Sequence, residues 1–243
     1  MKLGVLLWNQ RTTWPSFRDA AVAADRAGVD SIWTWDHLMA IVGSWEQPIL
    51  EGWSLLSGLA PLTDRASLGL LVGANTFRNP GLTAKHAATL DHQSEGRAVL
   101  GLGGAWFERE HDAYGIDFGS GFGERLDRLD EASERNRLLD ERCAEVGRDP
   151  ASIERTIAKS VVLRDDPAEA RAVFEDGLRG HGVEDPSQSV GLTGSPAAVA
   201  AEVRPYAEIG FDHLIVALRE PFDHQTIERL PELRAAIEGD DTT

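Results

Sequence analysis

Leu68–Gly115, LGLLVGANTFRNPGLTAKHAATLDHQSEGRAVLGLGGAWFEREHDAYG, is the stretch that decides the fold. It passes from an apolar run through a polar loop and a helical pattern to a second apolar run and a glycine-rich loop. That order is a parallel strand–helix–strand crossover. Its polar and glycine residues fall just beyond the two strands, where barrel enzymes hold their ligands.

The same alternation extends in both directions. Leu3–Leu7 reads as a buried strand, Ser16–Ala27 as a helix opened by Pro15 and ended by Gly28, and Asp30–Trp35 as a second strand. Trp53–Ala60 reads as a helix, Ser67–Val72 as the third strand, Thr83–Leu90 as a helix and Ala98–Leu102 as the fourth strand. From Phe122 to Val146 the helical signal is nearly continuous, with poor phase between Ala132 and Leu138, and Gly147–Pro150 stops it. Ile157–Leu163 is the fifth strand, Pro167–Arg179 a helix and Gly180–Gly191 an exposed loop. Ser195 and Pro196 open a helix to about Ile209, kinked or interrupted at Pro205. His213–Leu218 is the sixth strand and Gln225–Ile237 the last helix. Alternating strands and helices imply a parallel α/β sheet, either a barrel or an open doubly wound sheet. A barrel needs eight strands, and only about six are legible.

The chain has 243 residues and a net charge of −16, enough length for one barrel-sized domain, residues 1–243. The acidity argues against nucleic acid and against an anionic membrane surface. The lone Cys143 makes no intrachain disulfide, which suits a reducing cytoplasm. The N-terminal run reads as a strand rather than a signal peptide, and no apolar run reaches the ~20 residues of a membrane span.

Asp36 and His37 follow the second strand, placed either for proton transfer or as a simple turn with Asp36 capping amides. Val72-Gly73-Ala74-Asn75 ends the third strand and can bulge toward a ligand. Gly103 and Gly104 end the fourth, permitting close backbone approach or merely a tight turn; Trp106 rules out a dinucleotide fingerprint. His86 and His92 read as structural. Glu108, Glu110, His111 and Asp112 read as a solvated helix start in preference to a metal site. A metal-dependent hydrolase resting on Asp36, His37 and Glu110 lacks a recognisable ligand set. Trp8, Trp33, Trp35, Trp45, Trp53 and Trp106 cluster toward one end, as suits a flat aromatic ligand.

Together SIWTWDH (31–37), the block from Leu70 to Gly115, FGERLDRLDEA (122–132), RCAEVGRDPASIERT (142–156) and GSPAAVAAEVRPYAEIGFDHLIV (194–216) resemble the luciferase-like monooxygenase family. They resemble its branch dependent on the deazaflavin coenzyme F420 most. The resemblance implies a TIM-type (β/α)8 barrel and an F420-dependent oxidoreductase, with FMN as the alternative cofactor, transferring a hydride to or from a small organic substrate. It implies His37 as the proton-handling residue and Asp36 as a cofactor contact. It also implies that Val72, Gly73, Ala74 and Asn75 support the ring and that Gly103 and Gly104 line it. Some members carry a glutamate acid where this chain has Trp106. Members also continue through two further strand–helix units and a phosphate-holding loop where Ser133–Asp140 bridges directly here. The barrel is therefore expected to be incomplete, with its fifth and sixth strands missing. Open strand edges would then need covering, as in a homodimer. The alternative is a truncated, non-catalytic binding or assembly module.

Overall fold

The computed structural model describes residues 1–119, 155–208 and 210–239. In chain order its first half holds β1 (Lys2–Leu7), α1 (Trp14–Arg26), β2 (Ser31–Thr34), α2 (Gly52–Leu59), β3 (Ser67–Leu70) and β4 (Gly73–Ala74). Next come α3 (Pro80–Gln93), β5 (Ala98–Val99), β6 (Leu102–Gly103) and α4 (Glu108–Tyr114). The second half holds β7 (Thr156–Leu163), α5 (Pro167–Gly180), β8 (Leu192–Gly194) and α6 (Pro196–Glu208). It ends with β9 (His213–Leu218), α7 (His224–Glu228) and α8 (Leu230–Glu238).

β1 buries Leu3 through Leu7, the run of apolar side chains that a strand covered on both faces requires. It lies at the centre of a seven-stranded parallel sheet in the order β5-β3-β2-β1-β9-β7-β8. β1 pairs with β9 along its full length, Lys2 opposite His213 through Leu7 opposite Leu218. On its other side Gly4 pairs with Ser31 of β2.

Side chains alternate across a strand, so the sheet has two distinct faces. On one face Leu3, Val5 and Leu7 of β1 meet Phe17 of α1, Leu56 of α2 and Val203 of α6 in the main core. On the other, Leu6 and Trp8 pack with Trp33 and Ile215 in a small separate cluster. Val162 of β7 continues this second face, and there it meets Ala170, Phe174 and Leu178 of α5. One helix therefore covers the face that a closed barrel would turn inward.

Among the described residues β5 and β8 end the sheet without pairing with each other, so the sheet is open, as an incomplete barrel would be. All six strands expected from the sequence are present, and β4 and β8 are added. β8 has only three residues, too few to carry a periodic signal, and it closes the stretch read as an exposed loop. The expected fourth strand, Ala98–Leu102, is instead two short pieces. Just past β3, where the peptide between Leu71 and Val72 is cis, the chain leaves the main sheet; β4 then pairs with β6 in a two-stranded sheet of its own. The last helix divides at Arg229, because Pro231 has no N–H to continue the ladder from α7. α6 runs on through Pro205. The helix read over Phe122–Val146, the stop at Gly147–Pro150, Cys143 and the Ser133–Asp140 junction lie outside the described residues. No described helix is long and apolar enough to cross a membrane.

Candidate functional site

The C-terminal ends of β2, β4 and β6 surround a cavity of about 420 Å3. Its wall includes Asp36, His37, Val72, Ala74, Gly103 and Gly104, six of the eight residues singled out in the sequence. The other two stand behind that wall in the β4–β6 ladder, where the Gly73 amide donates to Gly101 O at 2.9 Å and the Asn75 amide to Gly103 O at 3.0 Å. A Cβ on residue 103 would collide with the Val72 side chain, so glycine there is a packing requirement as well as an open approach.

His37 projects into this space from just beyond β2. Its Nδ1 is 2.9 Å from Glu110 Oε1. Glu110 is buried, and its Oε2 accepts from the Leu38 amide at 2.9 Å and the Met39 amide at 3.4 Å. A carboxylate facing Nδ1 favours the tautomer that donates from Nδ1 and leaves Nε2 as the ring's other nitrogen. The rings of Trp35, Trp106 and Phe107 meet the imidazole edge-on at 6.2, 5.6 and 6.4 Å.

Asp36 is buried beside it. Its Oδ2 accepts from the Ala74 amide at 2.9 Å and from Arg78 Nη1 at 2.7 Å, while Oδ1 has no protein partner. Burial raises the Asp36 carboxyl above its ordinary value, more than Arg78 lowers it. Arg78 also reaches Glu51 Oε1 at 3.0 Å. Glu51 caps α2 by accepting from the Trp53 and Ser54 amides at 3.2 and 2.7 Å. Burial pushes Glu51 upward, but those amides and Arg78 outweigh it and hold the carboxyl low.

The reading of residues 108–112 as a solvated helix start is overturned for two of the four acidic and histidine positions. Glu108 and Asp112 are exposed, but Glu110 and His111 occupy the inner face of α4 and are buried. His111 Nδ1 donates to Phe107 O at 2.9 Å, which leaves Nε2 to accept from the Thr76 hydroxyl at 2.7 Å. No metal-ligand cluster forms among the described residues. His86 stacks on Trp53 at 5.5 Å, as a structural histidine does. The tryptophans divide: Trp53 is core, Trp8 meets Trp35 in a tilted contact at 4.5 Å, and Trp35 and Trp106 line the cavity. Arg78 and Glu51 are the site residues that the sequence did not point to, while Glu110 reads there only as a solvated acid or as part of a metal-dependent hydrolase site.

A family description for luciferase-like monooxygenases matches residues 1–139. The chain belongs to the luciferase-like monooxygenase family. It is 34% identical over 130 residues to a phthiodiolone/phenolphthiodiolone dimycocerosates ketoreductase of Mycobacterium sp. (strain JLS), covering 43% of this chain and 34% of that protein. It is 34% identical over 126 residues to an F420-dependent glucose-6-phosphate dehydrogenase of Amycolatopsis mediterranei, covering 49% of this chain and 35% of that protein. The chain thus spans about a third of the length of these curated relatives.

Two solved structures share the fold. An F420-dependent secondary alcohol dehydrogenase in complex with an F420–acetone adduct superposes with a TM-score of 0.70 at 14% identity, over 97% of this chain and 98% of that one. The oxygenating constituent of 3,6-diketocamphane monooxygenase from Pseudomonas putida, in complex with FMN, superposes with a TM-score of 0.67 at 17% identity, over 98% and 96%. The first of these structures holds an F420 adduct and the second FMN.

Proposed function

We propose that the cavity is the ring site of an F420-dependent oxidoreductase acting on a small organic alcohol or carbonyl compound, with FMN as the alternative cofactor. The observation that carries this reading is the His37–Glu110 pair in the cavity wall, beside the β4–β6 shoulder. The residues present fit a flat heteroaromatic ring. Trp35, Phe77 and Trp106 supply apolar faces, and Gly103 and Gly104 supply bare backbone in the same wall as Asp36 and His37. When bound, the cofactor supplies or takes the hydride.

The chain's own residues do the rest. Nε2 of His37 gives a proton to the carbonyl oxygen being reduced, or takes it from the hydroxyl being oxidised. Glu110 fixes the imidazole's tautomer and orientation through Nδ1. Trp35 and Trp106 exclude water around the imidazole. Fluorescence titration of the purified protein with F420 and with FMN tests the reading: binding in the micromolar range is expected, and binding of neither overturns it.

The open sheet edge favours one second reading. Among the described residues β5 is an edge strand with no partner on its outer side, and Val99 and Leu100 there and Leu102 of β6 are exposed apolar side chains, as an assembly module or a homodimer would use. Substrate-dependent F420 oxidation that is lost in His37→Ala rejects the module without rejecting the homodimer.

A further inference from the structure

Arg219 follows β9 and lies, like Ile215 and Ala217, on the face of the sheet that carries Trp8. Its guanidinium sits between two rings, 5.1 Å from the centroid of Trp8 and 5.0 Å from that of Phe174. A guanidinium has five N–H donors. Arg219 spends one on Phe174 O at 3.3 Å and one on Ser160 Oγ at 2.8 Å, and its Nε is shut in without an acceptor. Arg78, Arg164 and Arg234 each meet a carboxylate, and Arg97 spends its donors on Thr63 Oγ1 and backbone carbonyls. Among the described residues no carboxylate offsets the burial of Arg219, and that burial lowers its guanidinium to about 10. A half-buried cation without a counter-charge is costly unless an anion that binds there supplies one.

Beside the guanidinium is a small cavity of about 40 Å3, walled by Arg219, Val162, Phe174, Gly177, Pro221 and Asp223. Gly177 of α5 brings bare backbone to it. A Cβ there would stand 3.6 Å from Arg219 Nη1, so Nη1, unlike Nε, borders the space that the missing side chain leaves. We propose that Arg219 and the space beside Gly177 form a subsite for the carboxylate group of a small organic acid, separate from the cavity beside His37. The planar fork of a guanidinium matches a carboxylate, and the rings of Trp8 and Phe174 hold that fork in place. A water-sized group needs about 10–15 Å3 of such space, so the two oxygens of a carboxylate fit. Asp223 is the acid in the wall, already engaged by Arg164 at 2.9 Å and by the Thr226 hydroxyl at 2.6 Å. Its charge disfavours a doubly charged phosphate there more than a singly charged carboxylate. The two cavities share no lining residue, so this inference does not rest on the cofactor reading. They are neighbours all the same, since Trp8 under Arg219 touches Trp35 in the larger wall at 4.5 Å.

The experiment titrates the purified chain with acetate exchanged for chloride at fixed ionic strength, follows the acetate methyl by saturation-transfer NMR, and repeats the titration with inorganic phosphate. Wild type is expected to bind acetate at about millimolar concentration. Arg219→Met keeps an unbranched stem between Trp8 and Phe174 but removes the charge, and should weaken acetate by about 10- to 100-fold. Gly177→Ala keeps the charge and places a methyl in the space beside Nη1. It should also weaken acetate, yet melt no lower than wild type, because alanine suits a helix interior better than glycine. That variant carries the test if Arg219→Met does not fold. A merely structural Arg219 would leave wild type without acetate binding, and that result overturns the proposal. Acetate that binds wild type and Gly177→Ala equally well overturns it too, and phosphate bound in preference to acetate overturns the carboxylate assignment. Failure of F420 and FMN to bind overturns the proposed function alone, and failure of acetate overturns this subsite alone.

Discussion

His37 and Glu110 stand 73 positions apart in the chain, yet the Nδ1–Oε1 distance is 2.9 Å. One residue comes from just beyond β2 and the other from the buried face of α4. The pair joins the two strand–helix units that flank the cavity.

Removing the imidazole should remove the proton donor and little else. His37→Ala is expected to lower kcat by about 10²- to 10⁴-fold, with a much smaller change in cofactor affinity. Glu110→Gln should retain the fold and lower kcat less, since Nε2 remains. Steady-state F420 absorbance and cofactor titration separate the two; an affinity loss as large as the rate loss in His37→Ala would count against a proton-handling role.

Gly103→Ala places a methyl against Val72 and should destabilise the protein by about 1–3 kcal/mol. Val72→Ala in the same chain removes the obstructing methyls. The double variant is expected to recover most of the thermal stability that Gly103→Ala loses, and a double variant no more stable than the single would show that the clash lies elsewhere.

Asp223 gives the protein an acid-sensitive contact. Its carboxylate meets Arg164 at 2.9 Å and accepts from the Thr226 hydroxyl at 2.6 Å. Burial pushes its carboxyl up, but Arg164 and Thr226 outweigh burial and hold it below the ordinary 3.8. A folded-state value below the unfolded one contributes stability above the unfolded value, and that stability is lost as pH falls through the folded one. Asp223→Asn should therefore destabilise at neutral pH by about 2 kcal/mol and flatten the decline below about pH 4. Urea unfolding at pH 7 and pH 3 checks both halves.

His181 acts over a milder range. It is buried, its Nε2 donates to Glu220 O at 2.7 Å, and it lies edge-on to Trp8 at 5.3 Å. Burial holds it below the ordinary 6.5, with the nearby Arg11 and Arg219 adding to the effect. The unfolded chain binds that proton first, so stability should decline as pH drops below about 6.5. His181→Gln is expected to lose this part of the pH dependence in thermal melts between pH 5 and 7.

A sheet that is open among the described residues, with Val99, Leu100 and Leu102 exposed, should find a partner edge. Light scattering is expected to give twice the 26.5 kDa of the chain. Val99→Lys with Leu102→Lys should return the monomer.

The strands were legible because buried parallel strands are apolar runs: β1 and β9 differ from their expected limits by one residue at most. Short elements were not, since β8 and the β4–β6 pair hold their place by backbone hydrogen bonds rather than by side-chain pattern. Asp36 and His37 could be singled out from their place after a strand. Arg78 and Glu51 could not, because each acts across a loop whose closure the sequence does not display. Glu110 was in view but looked like a surface acid, and only the orientation of α4 turned it inward. Two faces of one sheet also cannot be told apart from a run apolar on both, so the position of α5 could not be read.

The central pairing of β1 with β9 has a consequence for how the chain is made. The middle of the sheet joins strands from opposite ends of the sequence. A ribosome delivers β1 long before β9, so during synthesis β1 can dock on β2 but has one flank bare until β9 emerges. The nascent protein must pass through the whole interval between β1 and β9 with a buried, apolar strand half covered. It is in that interval, more than in the finished fold, that chaperones and aggregation compete for it.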